Sequence, residues 1–253
     1  MKHNIKMIVT DLDETLLRTD KTISTYTRDV ISKCRDTGIK VAYATGRGGS
    51  EAHVAPPDMF DGRIAMNGAI ARAGDRIICN RLIPCLTARP FLLACHNRGV
   101  KITSEFGGWH YSNFTVSDVW PYITHFSIVD FAEHDLDAEK IYSIHFSNED
   151  AMFIREILPD SLHMITARDG LMQIMHRDAT KANALRELAS FWNIEQTEVV
   201  VFGDDTNDID MLVYAGVSVA MGNALNEVKD VADFVCLSND EDGVARWVDA
   251  NIL

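Results

Sequence analysis

The sequence predicts an α/β fold with a parallel sheet as its core and a second α/β unit inserted into it. Residues 5–10 and 39–44 are short, strongly apolar stretches, and residues 24–37 between them have apolar side chains at helical spacing. A strand, a helix and a strand in this order form the βαβ unit of a parallel sheet. Residues 198–202 are as apolar as the first stretch, so we expect a further core strand there.

The remaining patterns follow in chain order. A short strand at 64–66 precedes a hairpin at 69–79. From about residue 82 the pattern changes to helix 87–97, strand 100–104, strand 140–146, helix 149–158, and strands 162–166 and 171–175. Helix 179–194 returns to the core. We therefore predict a core domain of residues 1–81 and 178–253, with an inserted domain of residues 82–177 and a largely antiparallel sheet.

The composition and charge of the chain indicate which kinds of molecule it could bind. The 253 residues carry a formal net charge of −13 and are 47% apolar, as in an ordinary soluble protein. No basic block is present, which argues against a nucleic acid or an anionic membrane as partner and leaves room for a small anionic substrate. Five scattered cysteines, and the lack of a signal-peptide or membrane-spanning pattern, predict a cytoplasmic protein.

Polar residues follow three predicted parallel strands. Asp11 and Asp13 follow the first, Thr45 follows the second, and Asp204 and Asp208 follow the strand at 198–202. Because ligands bind at the carboxyl edge of such sheets, we expect these groups to meet there. Because side chains alternate along a strand, we expect Asp11 and Asp13 to leave it on the same side, with Leu12 pointing the other way. Two adjacent like charges favour a hard cation between them, and Mg2+ prefers oxygen ligands.

These residue types are suited to phosphoryl transfer. Asp11 could attack phosphorus as an ionised carboxylate, and Asp13 could give a proton to a leaving oxygen and later take one from water. Asp204 and Asp208 would add ligands for Mg2+, which would offset the negative charge of nucleophile and phosphate.

Donors for a phosphate are also present. Thr45 and the Gly46 amide lie in a predicted tight turn, and Lys181 lies near the start of its helix. Each has a simpler interpretation: Thr45 as a helix N-cap, and Lys181 as a solvated helix residue. Asn207 and Asp208 could likewise only cap the next helix.

Taken together, the motifs resemble the four ordered motifs of the haloacid-dehalogenase superfamily, and in particular its Cof-type sugar-phosphatase branch. The matching stretches are Asp11-Leu12-Asp13-Glu14-Thr15, Thr45-Gly46-Arg47, Lys181 and Gly203-Asp204-Asp205-Thr206-Asn207-Asp208, with Asn67-Gly68-Ala69, Val219-Ala220-Met221-Gly222-Asn223-Ala224 and Asp242-Gly243-Val244-Ala245 in support. The resemblance covers the whole chain. It implies a Rossmann-like core with an inserted α/β cap.

The resemblance also implies roles for individual residues. Asp11 would be the nucleophile, and Asp13 the acid/base, with its backbone carbonyl as a metal ligand. The implied Mg2+ ligands are Asp11, Asp13, Asp204 and Asp208, and the implied phosphate-binding residues are Thr45, Gly46, Lys181 and Asn207. The implied substrate is a small phosphorylated metabolite such as a sugar phosphate.

Three residues depart from the usual pattern of this branch. Glu14 and Ala182 replace glycines, and Gln173 replaces a glutamate. None of these changes removes a reacting group, but Glu14 adds negative charge beside the site. Arg47 could contribute to the site or be a surface ion-pair partner.

Residues 107–111, with two glycines followed by Trp-His-Tyr, could contact a substrate, although a turn with packed aromatic side chains is the simpler interpretation. Two alternative functions remain open. One is a phosphomutase or phosphotransferase of the same superfamily, which sequence separates poorly from a phosphatase. The other is a receiver-like signalling protein, against which the large insertion and Asp13 both argue.

Overall fold

A computed structural model describes residues 4–144, 147–166 and 170–253. The chain divides into two compact units, one of Met1–Asn80 with Ala179–Leu253 and one of Arg81–Asp178. The strands are β1 (Met7–Thr10), β2 (Lys40–Ala44), β3 (Gly62–Ala65), β4 (Ile70–Ala73), β5 (Arg76–Asn80), β6 (Ile102–Phe106), β7 (Trp109–Ser112), β8 (Phe126–Ile128), β9 (Lys140–Ser143), β10 (Leu162–Thr166), β11 (Met172–His176), β12 (Val199–Gly203), β13 (Val217–Ala220) and β14 (Phe234–Val235).

The helices are α1 (Thr25–Asp36), α2 (Cys85–Arg98), α3 (Asn148–Ile157), α4 (Lys181–Phe191), α5 (Ile209–Tyr214), α6 (Asn226–Val231) and α7 (Gly243–Asn251). In the described part of the chain, none of them combines the length and hydrophobicity needed to span a bilayer. The helices predicted in the core and in the insertion are confirmed, with shifts of a few residues at their ends.

The first unit is built on an eight-stranded sheet in the order β14-β13-β12-β1-β2-β3-β4-β5. The six strands from β14 to β3 are parallel, whereas β4 and β5 extend the edge as an antiparallel hairpin. The predicted βαβ unit and the α/β class with a parallel core sheet are therefore confirmed. The predicted hairpin is confirmed as well.

β1 lies at the centre of this sheet, between β2 and β12. Its four residues are all buried, as are the five of β12. Helix α1 covers the sheet with Val30, Ile31 and Cys34, and its N-cap Ser24 accepts a hydrogen bond from the amide of Thr27. The carboxyl ends of β1 and β12 are thus held side by side by a rigid, fully buried frame.

The second unit has its own six-stranded sheet, in the order β10-β11-β9-β6-β7-β8. The pairings are antiparallel except for β7 with β8, so the predicted largely antiparallel insertion is confirmed. Helices α2 and α3 pack a separate apolar core against it. The predicted strand at 140–146 is described as Lys140–Ser143, and residues 145 and 146 lie outside the described residues.

Strands β7 and β8 were not predicted. Gly107 and Gly108 have φ values of 61° and 78° and form the turn between β6 and β7. Positive φ at two consecutive turn residues suits the twist of a hairpin, and glycine adopts it without strain. The aromatic residues that follow belong to β7, where the indole N–H of Trp109 donates to Ser127 Oγ at 3.1 Å.

Gly68 marks a close backbone approach between two parts of the first unit. Its φ is 99°, and a Cβ atom placed on it would lie 2.1 Å from the carbonyl oxygen of Thr180, the N-cap residue of α4. A side chain therefore cannot be accommodated without moving the start of α4. Gly38, which follows α1, has a similar φ of 88°, but a Cβ atom placed on it would have no neighbour within 4 Å.

This pair of glycines gives a matched stability test. We expect Gly38→Ala to cost about 1 kcal/mol, the strain of a left-handed alanine alone. Gly68→Ala should cost about 3 kcal/mol, because steric overlap with Thr180 adds to the same backbone strain. Urea unfolding measures both; equal losses in the two variants would contradict the close packing of Gly68.

Candidate active site

Asp11 and Asp13 follow β1 but are not part of it. β1 ends at Thr10, and an irregular helical turn, Leu12–Leu16, begins directly after Asp11. The Asp11 amide donates to the carbonyl of Phe202 at 3.0 Å, which keeps this residue at the edge of the sheet beside β12. The expectation that strand alternation directs the carboxylates of Asp11 and Asp13 to one side was therefore wrong, because the strand has ended before Asp13.

Three buried carboxylates meet at the ends of β1 and β12. Asp11, Asp204 and Asp208 each offer an oxygen, and these atoms lie within 4.8 Å of one another. The hydroxyl of Thr15 donates to Asp204 Oδ1 at 2.9 Å. Asp208 Oδ2 accepts from the amides of Asp204 and Asp205, at 2.9 and 3.2 Å, which fixes the turn after β12.

Lys181 is the positive charge inside this cluster. Its ammonium group donates to Asp11 Oδ1 and to Asp208 Oδ1, both at 2.6 Å, and its side chain is fully buried. The interpretation of Lys181 as a solvated helix residue is therefore wrong. Burial lowers the pKa of Lys181, but Asp11 and Asp208 outweigh this effect and raise its pKa above the ordinary value, so the ammonium form persists.

Among the residues described at this site, acidic side chains outnumber basic ones. Three carboxylates face one ammonium group, and burial raises the pKa of Asp11 well above its ordinary value. Lys181 opposes this rise, whereas Asp208 and Asp204 add to it. A cluster of buried carboxylate oxygens with an excess of negative charge is the donor set that a hard divalent cation requires, so these residues fit Mg2+.

The Thr45 turn lies next to this cluster in the sheet. Thr45 is buried; its amide donates to Ile64, and its hydroxyl oxygen accepts from the Arg47 amide at 3.1 Å. The next helical turn, Gly49–His53, has Gly48 as its N-cap, so the interpretation of Thr45 as a helix N-cap is wrong. Gly46 packs against Asn67, whose side chain would lie 3.2 Å from a Cβ at that position.

Asn67 is a site-lining residue to which the sequence interpretation assigned no role. Its amide donates to the carbonyl of Thr45 at 2.9 Å, and its Oδ1 accepts from Asn207 Nδ2 at 2.8 Å. It therefore connects the turn after β2 to the turn after β12. The signal was the Asn-Gly pair after a short strand: Asn67 has φ 51°, a conformation that asparagine tolerates better than most residues.

Asp13 forms a bidentate ion pair with Arg47. Arg47 Nε lies 2.6 Å from Asp13 Oδ2, and Nη2 lies 2.7 Å from Oδ1. Lys21 Nζ adds a contact to Oδ1 at 3.2 Å. Burial raises the pKa of Asp13, but Arg47 and Lys21 outweigh this and hold it below its ordinary value. Asp13 is therefore ionised at neutral pH, and Arg47 is its partly buried ion-pair partner.

The polar residues of the turn after β12 differ in their hydrogen-bond partners. Asp205 Oδ1 accepts from the Thr206 amide at 2.7 Å and caps the short helical turn Thr206–Asp208. Asp208 is buried and bonded to Lys181, without a side-chain capping bond to α5. The structure thus brings Asp11, Asp208 and Lys181 into direct contact, and an oxygen of Asp204, which is bonded to Thr15, lies within 4.8 Å of those of the two other aspartates.

Comparison with known proteins identifies the family. The sequence model of haloacid dehalogenase-like hydrolases matches residues 8–248. The chain belongs to this family. The resemblance stated from the motifs is therefore confirmed, as is the α/β fold with an inserted cap.

Individual relatives agree with this assignment. YxeH of Bacillus subtilis is 29% identical over 98% of this chain and 98% of its own length. The 5-amino-6-(5-phospho-D-ribitylamino)uracil phosphatase YitU of Bacillus subtilis is 28% identical, covering 96% of each chain. A phosphatase of the haloalkanoate (HAD) superfamily from Bacteroides thetaiotaomicron has a similar solved structure, with a TM-score of 0.85, 26% identity, and coverage of 97% of this chain and 94% of that one. The predicted enzyme class, a phosphoric monoester hydrolase, is confirmed by these phosphatases.

Removal of the buried ammonium gives a direct test of the cluster. We expect Lys181→Met to lower the free energy of unfolding by about 3–5 kcal/mol in metal-free buffer at neutral pH, because it leaves buried carboxylates without their counter-charge. Lys33→Met removes an exposed lysine of α1 and should change stability by less than about 0.5 kcal/mol. Urea unfolding compares the two variants; a Lys181 variant as stable as the Lys33 control would contradict the described pairing.

Proposed function

We propose that the chain is a Mg2+-dependent phosphatase that hydrolyses a small phosphorylated metabolite through a phospho-Asp11 intermediate. The observation that carries the proposal is the buried cluster of Asp11, Asp204, Asp208 and Lys181 at the ends of β1 and β12, with Asp13 two residues after Asp11. Membership of a hydrolase family favours this function over a receiver-like signalling protein.

In the proposed reaction, a carboxylate oxygen of Asp11 attacks phosphorus, and the bond from phosphorus to the leaving oxygen breaks. Asp13 is ionised in its pairing with Arg47, so it first takes up a proton from solvent and then gives that proton to the leaving oxygen. It then takes a proton from water as the water oxygen attacks phosphorus, which breaks the bond to Asp11 and releases inorganic phosphate. Arg47 holds both oxygens of Asp13 and so favours its ionised form, and opening one of these hydrogen bonds would make uptake of the proton easier.

The remaining proposed roles concern binding. We assign Thr45, Gly46, Lys181 and Asn207 to the transferred phosphate, as hydroxyl, amide and ammonium donors. Mg2+ would be held by Asp11, Asp204 and the backbone carbonyl of Asp13, and when bound it would screen the negative charges of nucleophile and phosphate.

Asp208 is the weakest of the proposed Mg2+ ligands. Lys181 occupies its Oδ1, and the amides of Asp204 and Asp205 occupy its Oδ2. Asp208 would bind a cation only through an oxygen that already accepts one of these hydrogen bonds. Its hydrogen bonds support a second role, which is to hold Lys181 and the turn after β12 in place.

We further propose residues 1–81 and 178–253 as the catalytic core and residues 82–177 as the cap. A phosphorylated sugar or polyol is the first substrate class to examine, since the relative YitU is named for a phospho-ribitylamino compound. All five cysteines are free thiols, which supports a reducing, cytoplasmic location.

The nucleophile is tested by Asp11→Asn. With p-nitrophenyl phosphate and Mg2+, we expect turnover to fall by more than about 10³-fold, because the amide cannot form the acyl phosphate. Asp29→Asn, in an exposed aspartate of α1, is the matched control and should match wild type. Near-normal phosphate release by the Asp11 variant would rule out the mechanism. Release of inorganic phosphate from a panel of sugar and polyol phosphates then identifies the substrate class.

A further inference from the structure

Glu14 adopts a backbone conformation that is unusual for a residue with a side chain. Its φ and ψ are 58° and 9°, in the left-handed region, which costs about 1 kcal/mol for a residue other than glycine. Three contacts hold it there. Its carbonyl accepts from Asn223 Nδ2 at 2.7 Å, and its carboxylate accepts from Lys21 Nζ at 2.8 Å and from Asn239 Nδ2 at 3.3 Å. In the branch that the motifs resemble, glycine is common at this position, and the left-handed backbone explains why. The three contacts hold the backbone carbonyl and the carboxylate of Glu14 in place.

Lys21 is presented to Glu14 by a short turn. Arg18 N donates to the carbonyl of Thr22 at 3.0 Å, and Lys21 N donates to that of Arg18 at 2.8 Å. Lys21 itself has φ 64°. The turn is anchored by the pairing of Arg18 Nη2 with Asp242 Oδ2 at 2.7 Å and by two hydrogen bonds from Thr19 to Asp240, both at 2.9 Å. The ammonium group therefore extends from a restrained backbone.

Lys21 bridges two carboxylates. Its Nζ lies 2.8 Å from Glu14 Oε1 and 3.2 Å from Asp13 Oδ1. The side chains of Lys21 and Asp13 are 39% and 36% exposed, so solvent screens this pairing and its contribution to stability is small. Lys21 extends from a restrained backbone, adds little to the free energy of unfolding, and lies beside the carboxylate that is proposed to move the proton. These features together point to a role in positioning that carboxylate.

The contacts of Arg47 and Lys21 with Asp13 differ in kind. Arg47 bonds both oxygens of Asp13, through Nε to Oδ2 and through Nη2 to Oδ1, whereas Lys21 contacts Oδ1 alone. If the Arg47 Nε bond opens, Lys21 and Arg47 Nη2 both still hold the carboxylate through Oδ1. Oδ2 then becomes the oxygen that can exchange the proton.

We propose that Lys21 is a positioning residue for Asp13, and that Glu14 acts through Lys21 by holding its ammonium group beside Oδ1. The inference rests on the proposed function, because it concerns the carboxylate that moves the proton. It assigns to Glu14 a task that the glycine common at this position cannot perform.

Steady-state hydrolysis of p-nitrophenyl phosphate tests the role of Lys21. We expect Lys21→Met to lower kcat about tenfold and to leave KM within about twofold, because the reacting group is displaced while phosphate binding is retained. Lys21→Arg should restore most of kcat, and Lys33→Met, the exposed control, should equal wild type. A Lys21→Met variant with wild-type kcat, or a loss that arginine does not rescue, would overturn the proposal.

A double-mutant cycle tests whether Glu14 acts through Lys21. Glu14→Ala should lower kcat in the wild-type background and have no further effect on kcat in the Lys21→Met background. Equal effects in the two backgrounds would show that Glu14 acts independently of Lys21 and would contradict its assigned role.

The charge swap separates positioning from folding. In Glu14→Lys/Lys21→Glu the ion pair within the turn is restored, but a carboxylate now faces Asp13. We expect the thermal midpoint to stay near that of wild type while kcat stays low; a wild-type kcat in the swapped variant would show that the pair is only structural. An inactive wild type would overturn the proposed function as well, whereas an active wild type with an equally active Lys21→Met variant overturns this inference alone.

Discussion

The pairing of Lys181 with Asp11 and Asp208 is the interaction on which the site depends. It joins the start of α4 to the ends of β1 and β12, with Asp11 and Lys181 170 positions apart in sequence. A buried ammonium group between two carboxylates is tolerated only if its geometry is precise, because each charge has lost its hydration. The backbone around it is correspondingly restrained: Gly68 touches the Thr180 carbonyl, and Gly203 leaves room for Asp208.

The two aspartates of the first motif, Asp11 and Asp13, have different neighbours. Asp11 belongs to the buried cluster, whereas Asp13 lies in a partly exposed ion-pair network with Arg47 and Lys21. This division suits the proposed chemistry, in which a nucleophile benefits from a fixed, desolvated position and a proton carrier needs access to water. The two environments are therefore consistent with the different tasks proposed for Asp11 and Asp13.

Much of this arrangement could be predicted from the sequence, because it follows from the ends of parallel strands. The apolar patterns of β1, β2 and β12 are enough to place Asp11, Thr45 and Asp204 at one sheet edge. The Asp13–Arg47 pair could not be predicted, since it depends on where β1 ends and on the side-chain conformation of a long arginine. The contacts of Asn67 were also hidden, because they require a left-handed backbone that the residue type permits but does not dictate. Strand β7 was missed although Gly107-Gly108 is a hairpin signal, and β8 was missed because its three residues are too few to show a strand pattern.

The central claim is that Mg2+ binds at the cluster of Asp11, Asp204 and Asp208 and offsets its excess negative charge. Thermal unfolding of the chelator-treated protein, with and without Mg2+, tests it most directly. Wild type should gain several degrees with millimolar Mg2+, by linkage of binding to folding, and Asp204→Asn should lose most of that gain while Asp29→Asn keeps it. The claim is contradicted if Mg2+ leaves the wild-type midpoint unchanged, or if it stabilises the Asp204 variant to the same extent.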